Sequence, residues 1–209
     1  MTIPARAKPR ERRPEQRRQD LLDAAVKVFT AKGVRDATVA EISETAGVAK
    51  GTFYLYFDSR EHLLAALRKT LVEETLERAA SYYERVGSED IWSLVDGMTE
   101  AMIDLLYAQK DIIQAVTAEG MTPETAEVFA ECDRKINAMI AAGIRMGIEQ
   151  GEFHVANPEA TASLLSHGTE GAVVEAILYD SGLTKQEITE AAKEMARKVL
   201  APSKSKTPR

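Results

Sequence analysis

The chain has 209 residues, 44% hydrophobic and 29% charged, a balance that fits one or two folded domains and excludes a wholly disordered chain. Its net charge of −6 argues by itself against nucleic acid, but the charge is unevenly placed: residues 1–69 carry 14 Lys and Arg against 9 Asp and Glu, and residues 70–209 carry 13 against 24. One cysteine, Cys132, excludes an internal disulfide, and three scattered histidines, with no glycine-rich phosphate loop or serine elbow, leave no catalytic constellation, metal site or cofactor motif in view.

The first 14 residues crowd Arg6, Lys8, Arg10, Arg12 and Arg13 among prolines with no apolar period, which predicts a disordered basic arm. Arg12 and Arg13 suit contact with a DNA backbone, and a solvated tail explains the same composition. No apolar stretch follows these charges, and no run approaches the roughly 18 residues that span a bilayer, so a cytoplasmic protein without a membrane partner is expected. Helix one then carries Leu21, Leu22, Ala25, Val28 and Phe29 on one face and exits at Gly33. A second helix begins at Thr38, whose hydroxyl can cap it, buries Val39, Ile42 and Ala46, and ends at Gly47. A third starts near Ala49: Phe53 and Phe57 face the core, while Lys50, Gly51 and Tyr54 form an exposed face.

That face has the chemistry of a major-groove reader. Lys50 can donate to guanine acceptors or phosphates, Gly51 lets the backbone come close, and Tyr54 can meet a base edge or a phosphate. Thr38, Thr52, Tyr56 and Arg60 are placed mainly for phosphate, with Asp58, Ser59 and Glu61 resembling a capping box that opens the next helix. Taken singly these residues fit an ordinary helical hairpin; their conjunction points to DNA. From about Leu21 to Leu64, and above all in Lys-Gly-Thr-Phe-Tyr-x-Tyr-Phe, the chain resembles the tetracycline-repressor (TetR) family of bacterial transcriptional regulators. Ala49 stands where that family often has a capping serine, and Arg60 where a lysine usually contacts phosphate. The resemblance implies an all-α fold: an N-terminal three-helix helix-turn-helix domain, then a C-terminal helical ligand-binding and dimerisation bundle, about nine helices in all.

Beyond Arg60 the pattern stays helical. A fourth helix runs to about Val86 with Leu63, Leu64, Leu67, Leu71 and Leu76, ending before Gly87. Ser88 is the expected cap of a fifth, Glu89 to about Gln109, whose apolar face includes Met98, Met102 and Leu105 opposite Asp96, Glu100 and Asp104, acids expected to meet water. A short sixth covers Ile112–Ala118. Thr122 and Pro123 open a seventh, to about Gln150, with Phe129, Cys132, Ile136, Met139, Ile140 and Gly143 as its stripe. Asn157 and Pro158 open an eighth, free of charge from Ala160 to Thr169 and so expected to be buried on several sides. Thr184 with Glu187 caps a ninth. The domain boundaries expected are 1–14 arm, 15–65 DNA-binding, 66–200 ligand-binding and dimerisation, and 201–209 disordered tail.

The small residues Gly168, Gly171, Ala172 and Ala176 on the eighth helix, with Ile188, Ala191, Met195 and Val199 on the ninth, suit close helix approach; the resemblance implies that these helices pair across a two-fold axis in a homodimer. Trp92, Met98, Met102, Tyr107, Met121, Phe129 and Met139 can line an apolar pocket or serve as plain core, and His167 and Glu170, if they face it, favour a polar or cationic ligand end. The function expected is a dimeric, ligand-responsive regulator, a repressor released from a palindromic double-stranded operator by a small, largely apolar effector. Two rivals stand beside it: a cytoplasmic helical binder or enzyme with an incidental helix-turn-helix, and a constitutive DNA-binding dimer without a ligand.

Overall fold

The computed structural model describes residues 14–86, 90–119 and 122–201, and within them every regular element is a helix. The arm residues Arg12 and Arg13, the expected cap Ser88, Met121 and the tail from residue 202 lie outside the described residues. Contacts gather into two units, Met1–Leu63 and Leu64–Arg209.

The first unit contains α1 (Pro14–Lys32), α2 (Val39–Thr45), α3 (Lys50–Phe53) and the first turn of α4 (Arg60–Val86). Helix α1 buries Leu21, Leu22, Ala24, Ala25, Val28 and Phe29, and stops where Gly33, at φ +83°, sends its N–H back to the Phe29 carbonyl. Thr38 caps α2 in a closed capping box: its hydroxyl accepts from the Glu41 amide, and the Glu41 carboxylate accepts from the Thr38 amide at 3.0 Å. Ile42 is buried as expected, and so is Ser43, whose hydroxyl returns to the Val39 carbonyl at 2.7 Å. The exit at Gly47 has φ +69°, which only a residue without a Cβ adopts freely.

The second unit holds the rest of α4 with α5 (Ile91–Ala108), α6 (Lys110–Glu119), α7 (Pro123–Glu149), α8 (Pro158–Tyr179) and α9 (Lys185–Leu200). Helix α7 packs on α8, and α5 packs on both α8 and α9. One core cluster joins Ile91, Leu94, Ala141, Ile144, Phe153, Ala162, Ala196 and Leu200; a second joins Ile103, Leu106, Val173, Ile188 and Ala192; a third holds Val72, Leu105 and Cys132. The expected caps Thr122, Asn157 and Thr184 each accept a first-turn amide.

Three expectations need correction. Helix α5 is capped by Asp90 rather than Ser88, because the Asp90 carboxylate takes the Ser93 amide at 3.0 Å. The acids of α5 do not simply meet water: Asp96, Glu100 and Asp104 pair in turn with Arg197, Lys193 and Lys185, since α9 lies antiparallel along that face. The uncharged start of α8 is not buried on several sides. Only the stripe Ala162, Ser166, Thr169 and Val173 is inside, whereas Leu164 is 75% exposed and His167, Gly168 and Gly171 lie at the surface.

Candidate nucleic-acid interface

Helix α3 is a single turn held from behind by two aromatic rings. Phe53 and Phe57 are buried with centroids 5.6 Å apart, and the Arg18 guanidinium lies 5.3 Å from the Phe57 ring. Because these anchors sit four residues apart, the other side of the turn must face out. Lys50 and Gly51 are exposed, Tyr54 is 49% exposed with its ring edge-on to Phe53, and Thr52 and Tyr56 are half-buried beside them. No heavy atom beyond its own helix turn lies within 4 Å of where a Cβ on Gly51 would sit, so this glycine is not needed for packing inside the chain. Ala49 has the extended backbone of a cap but offers no side-chain acceptor to α3. Leu55, unremarked in the sequence pattern, is 79% exposed next to Tyr54; its only signal was an apolar residue off the Phe53–Phe57 face.

Two of the residues placed for phosphate have internal partners. The Thr38 hydroxyl donates to Glu41 at 2.7 Å within the capping box. The Arg60 guanidinium donates through Nη1 to the carbonyls of Val34, Arg35 and Ala37 at 2.9, 3.0 and 3.3 Å, and so ties the α1–α2 turn to the start of α4. Ser59 caps α4 by accepting from the His62 amide at 3.1 Å.

In the second unit the residues considered for a pocket separate into groups. Met98 and Met102 line an apolar cavity of about 60 Å³ with Leu94, Ile140, Thr169 and Met195. Met98 also borders an open groove of about 720 Å³ between α4 and α7, where Met139 lies with Leu76, Tyr83 and Met146. Trp92 instead packs edge-on against Phe153 at 4.9 Å, and Tyr107 lies under the Lys185 ammonium. Phe129 lies 4.4 Å beneath the guanidinium of Arg68. His167 is exposed and bonded to the Ser163 carbonyl at 2.8 Å. Glu170 is half-buried; burial pushes its carboxyl above the usual range, as does Asp133, with Arg68 and His167 opposing.

Arg68 itself was missed. It is 4% exposed, and donates to Gln109 Oε1 at 2.7 Å and Asp133 Oδ1 at 2.6 Å. The signal was present: Arg68 interrupts the apolar stripe of α4 between Leu64 and Leu71. Of the residues considered for pairing between chains, Gly168, Gly171 and Ala191 are exposed and Val199 is 44% exposed. Ala172, Ala176 and Met195 are half-buried, and Ile188 is a core residue of this chain, because its side of α9 packs on α5.

Short helices hinged at a positive-φ glycine, an outward Lys–Gly–x–x–Tyr face and a following helical bundle define a helix-turn-helix protein. Residues 21–67 match the family described as bacterial regulatory proteins, tetR family. The HTH-type transcriptional regulator YvdT of Bacillus subtilis is 35% identical over 95 residues, 46% of this chain and 48% of YvdT, so that match spans about half of each protein. UidR of Escherichia coli is 26% identical over 163 residues, covering 76% of this chain and 80% of UidR. The fold is shared with two solved structures. FadR from Bacillus subtilis in complex with stearoyl-CoA has a TM-score of 0.67 at 22% identity, over 85% of this chain and 96% of that one. A transcriptional regulator from Saccharomonospora viridis in complex with choline has a TM-score of 0.74 at 15% identity, over 90% and 99%. Over residues 21–67 the chain is similar to the tetR family of bacterial regulatory proteins, and solved structures of regulators share its fold.

Proposed function

We propose that this protein is a dimeric repressor that docks two copies of α3 on a palindromic operator and is released by a small, largely apolar effector. The observation that carries the reading is the outward face of α3: Lys50, Gly51 and Tyr54 unobstructed on a turn clamped from behind by Phe53 and Phe57. Lys50, Gly51 and Tyr54 take the base-proximal contacts, with Thr52 and Tyr56 beside them, Thr38 at the backbone, and Arg12 and Arg13 on the arm. Pairing between chains is supported by the exposed small residues Gly168, Gly171 and Ala191 and the exposed apolar residues Leu164, Tyr179 and Val199 on the same two helices. An effector site within residues 66–200 is supported by the Met98–Met102 cavity and by the ligands named for the neighbours, stearoyl-CoA and choline.

Successive major-groove faces on one side of a duplex lie about 34 Å apart, so a change that shifts the spacing of two reading helices spoils simultaneous docking. An effector that prefers the spread form about 100-fold shifts that equilibrium by about 2.7 kcal/mol. The decisive experiment is selection of bound duplexes from a random pool, then release by a chemically broad ligand panel. Salt-dependent enrichment of a two-fold sequence and its loss with an apolar compound are the expected results. A chain that retains no DNA at low salt is a helical binder instead; retained DNA that no ligand releases favours a constitutive dimer.

A further inference from the structure

Four voids of the second unit share one side chain. Met98, half-buried on α5, borders the groove of about 720 Å³ between α4 and α7, a groove of about 850 Å³ between α4 and α5, and two smaller cavities of about 60 and 20 Å³. Among the described residues no other borders all four. A methionine that merely filled a gap would leave close packing around it, and here space lies on several sides.

The α4–α7 groove and the 60 Å³ cavity have Leu94, Met98 and Gly143 in common, so these three form the partition between them. Leu94 is 3% exposed and fixed in the core cluster of Ile91 and Ile144. Gly143 has no side chain, and a Cβ built there would lie 3.7 Å from Met98 Sδ. Only Met98 can move. Its unbranched side chain turns about its own bonds, and a change of rotamer joins groove to cavity without any shift of backbone.

The walls decide what passes. No acid or base lines the cavity; its polar side chains are Thr99, Ser166 and Thr169, and the hydroxyls of Thr99 and Thr169 already donate to the Val95 and Leu165 carbonyls at 2.8 Å. A charge moved past Met98 would leave water and meet no opposite charge, whereas a methylene gains by the same step. The cavity takes only a narrow chain end. The rest of such a molecule lies in the groove against Leu76, Tyr83, Met139 and Met146, with its head at the open side.

We propose that Met98 is the specificity-determining gate of the effector site, admitting the uncharged end of a straight hydrocarbon chain, tail first, from the α4–α7 groove into the cavity between α5, α7, α8 and α9. This rests on the reading of residues 66–200 as an effector-binding region.

The test uses the full chain without DNA and titrates straight-chain alcohols from hexanol to decanol, then decanoate and decanedioate, with calorimetry and the fluorescence of Trp92, which packs on the same cluster as Met98. Affinity rises about three- to fourfold per added methylene, and decanedioate, which must bring a second carboxylate past Met98, binds about tenfold or more weakly than decanoate. Met98→Ala takes up decanol about tenfold faster in stopped flow. Gly143→Val, which sets a branched side chain against the Met98 tip, removes the gain with chain length, and adding Met98→Ala restores it, a recovery that a damaged fold would not show. No dependence on length, equal binding of decanoate and decanedioate, unchanged entry in Met98→Ala, or no recovery in the double variant overturns the gate. A chain that binds decanol in this pattern yet retains no duplex at low salt sinks the DNA-binding reading alone; one that binds a selected duplex and none of these chains sinks the gate alone.

Discussion

A Cβ built on Gly147 would lie 2.1 Å from Cδ2 of Phe153, a ring that is 3% exposed and packed against Trp92. In an open helix Gly→Ala gains about 1 kcal/mol, but here the overlap outweighs it, and Gly147→Ala should destabilise the protein by about 1–3 kcal/mol. Denaturant unfolding checks this, and in a Phe153→Ala background the same substitution should become favourable; a stabilised single variant refutes the packing. Nothing in the sequence marks Gly147, because its partner is set by how the chain turns back after α7. Lys50 is the opposite case, since its exposed place followed from the four-residue spacing of Phe53 and Phe57. Lys50→Ala should cost about 1–3 kcal/mol on the selected operator and less on random duplex. Unchanged operator binding would mean that α3 is turned differently on the groove.

Among the elements, α3 is the least supported. Its cap position, Ala49, has φ −67° and ψ 147°, suitable for a capping side chain, yet supplies no acceptor. Ala49→Ser should add about 1 kcal/mol to the stability of the first unit, read as slower amide exchange in α3; unchanged exchange would mean that the turn is held by its aromatic anchors alone. Helix α2 has the reverse arrangement. Lys32 first, then Thr38, hold the Glu41 carboxyl down to about 2 from its ordinary 4.5, so its contribution is complete above pH 4.5 and is lost as pH falls towards 2. Acid unfolding should therefore separate wild type from Glu41→Gln at neutral pH and bring them together near pH 2; a constant difference would remove Glu41 from the cap. The Thr38 cap was legible, since a cap is a local event set by residues a few positions apart. The α5–α9 ion-pair ladder was not, because its bases come from residues about a hundred positions away.

At the level of the whole molecule, the surface of α8 and α9 leaves Leu164 75% exposed, with Gly168, Gly171 and Ala191 also at the surface. A charge there would have to be desolvated in a paired interface. Leu164→Glu should weaken self-association by about tenfold or more, equivalent to about 1.4 kcal/mol, and turn two-half-site binding into two separate steps. Sedimentation at several protein concentrations reads the first effect; an unaltered mass would place any interface elsewhere. Ile188 illustrates why sequence alone misplaced part of this surface. An apolar residue on an amphipathic helix is marked for burial, but periodicity does not say whether the cover comes from its own chain or another.

The helical elements, most of their caps, the exposed Lys50–Gly51–Tyr54 face and the likeness to a family of regulators could be read from the order of residues alone. Those features depend on neighbours three or four residues apart, and such spacings are written directly in the chain. It took the folded chain to show that Arg60 closes on the carbonyls of Val34, Arg35 and Ala37, that Arg68 is buried between Gln109 and Asp133, and that Ile188 packs inward. An arginine carries the same charge whether it meets a phosphate, a carbonyl or a carboxylate. Which of them it meets depends on helices folded together from distant parts of the chain, and local pattern holds no record of that.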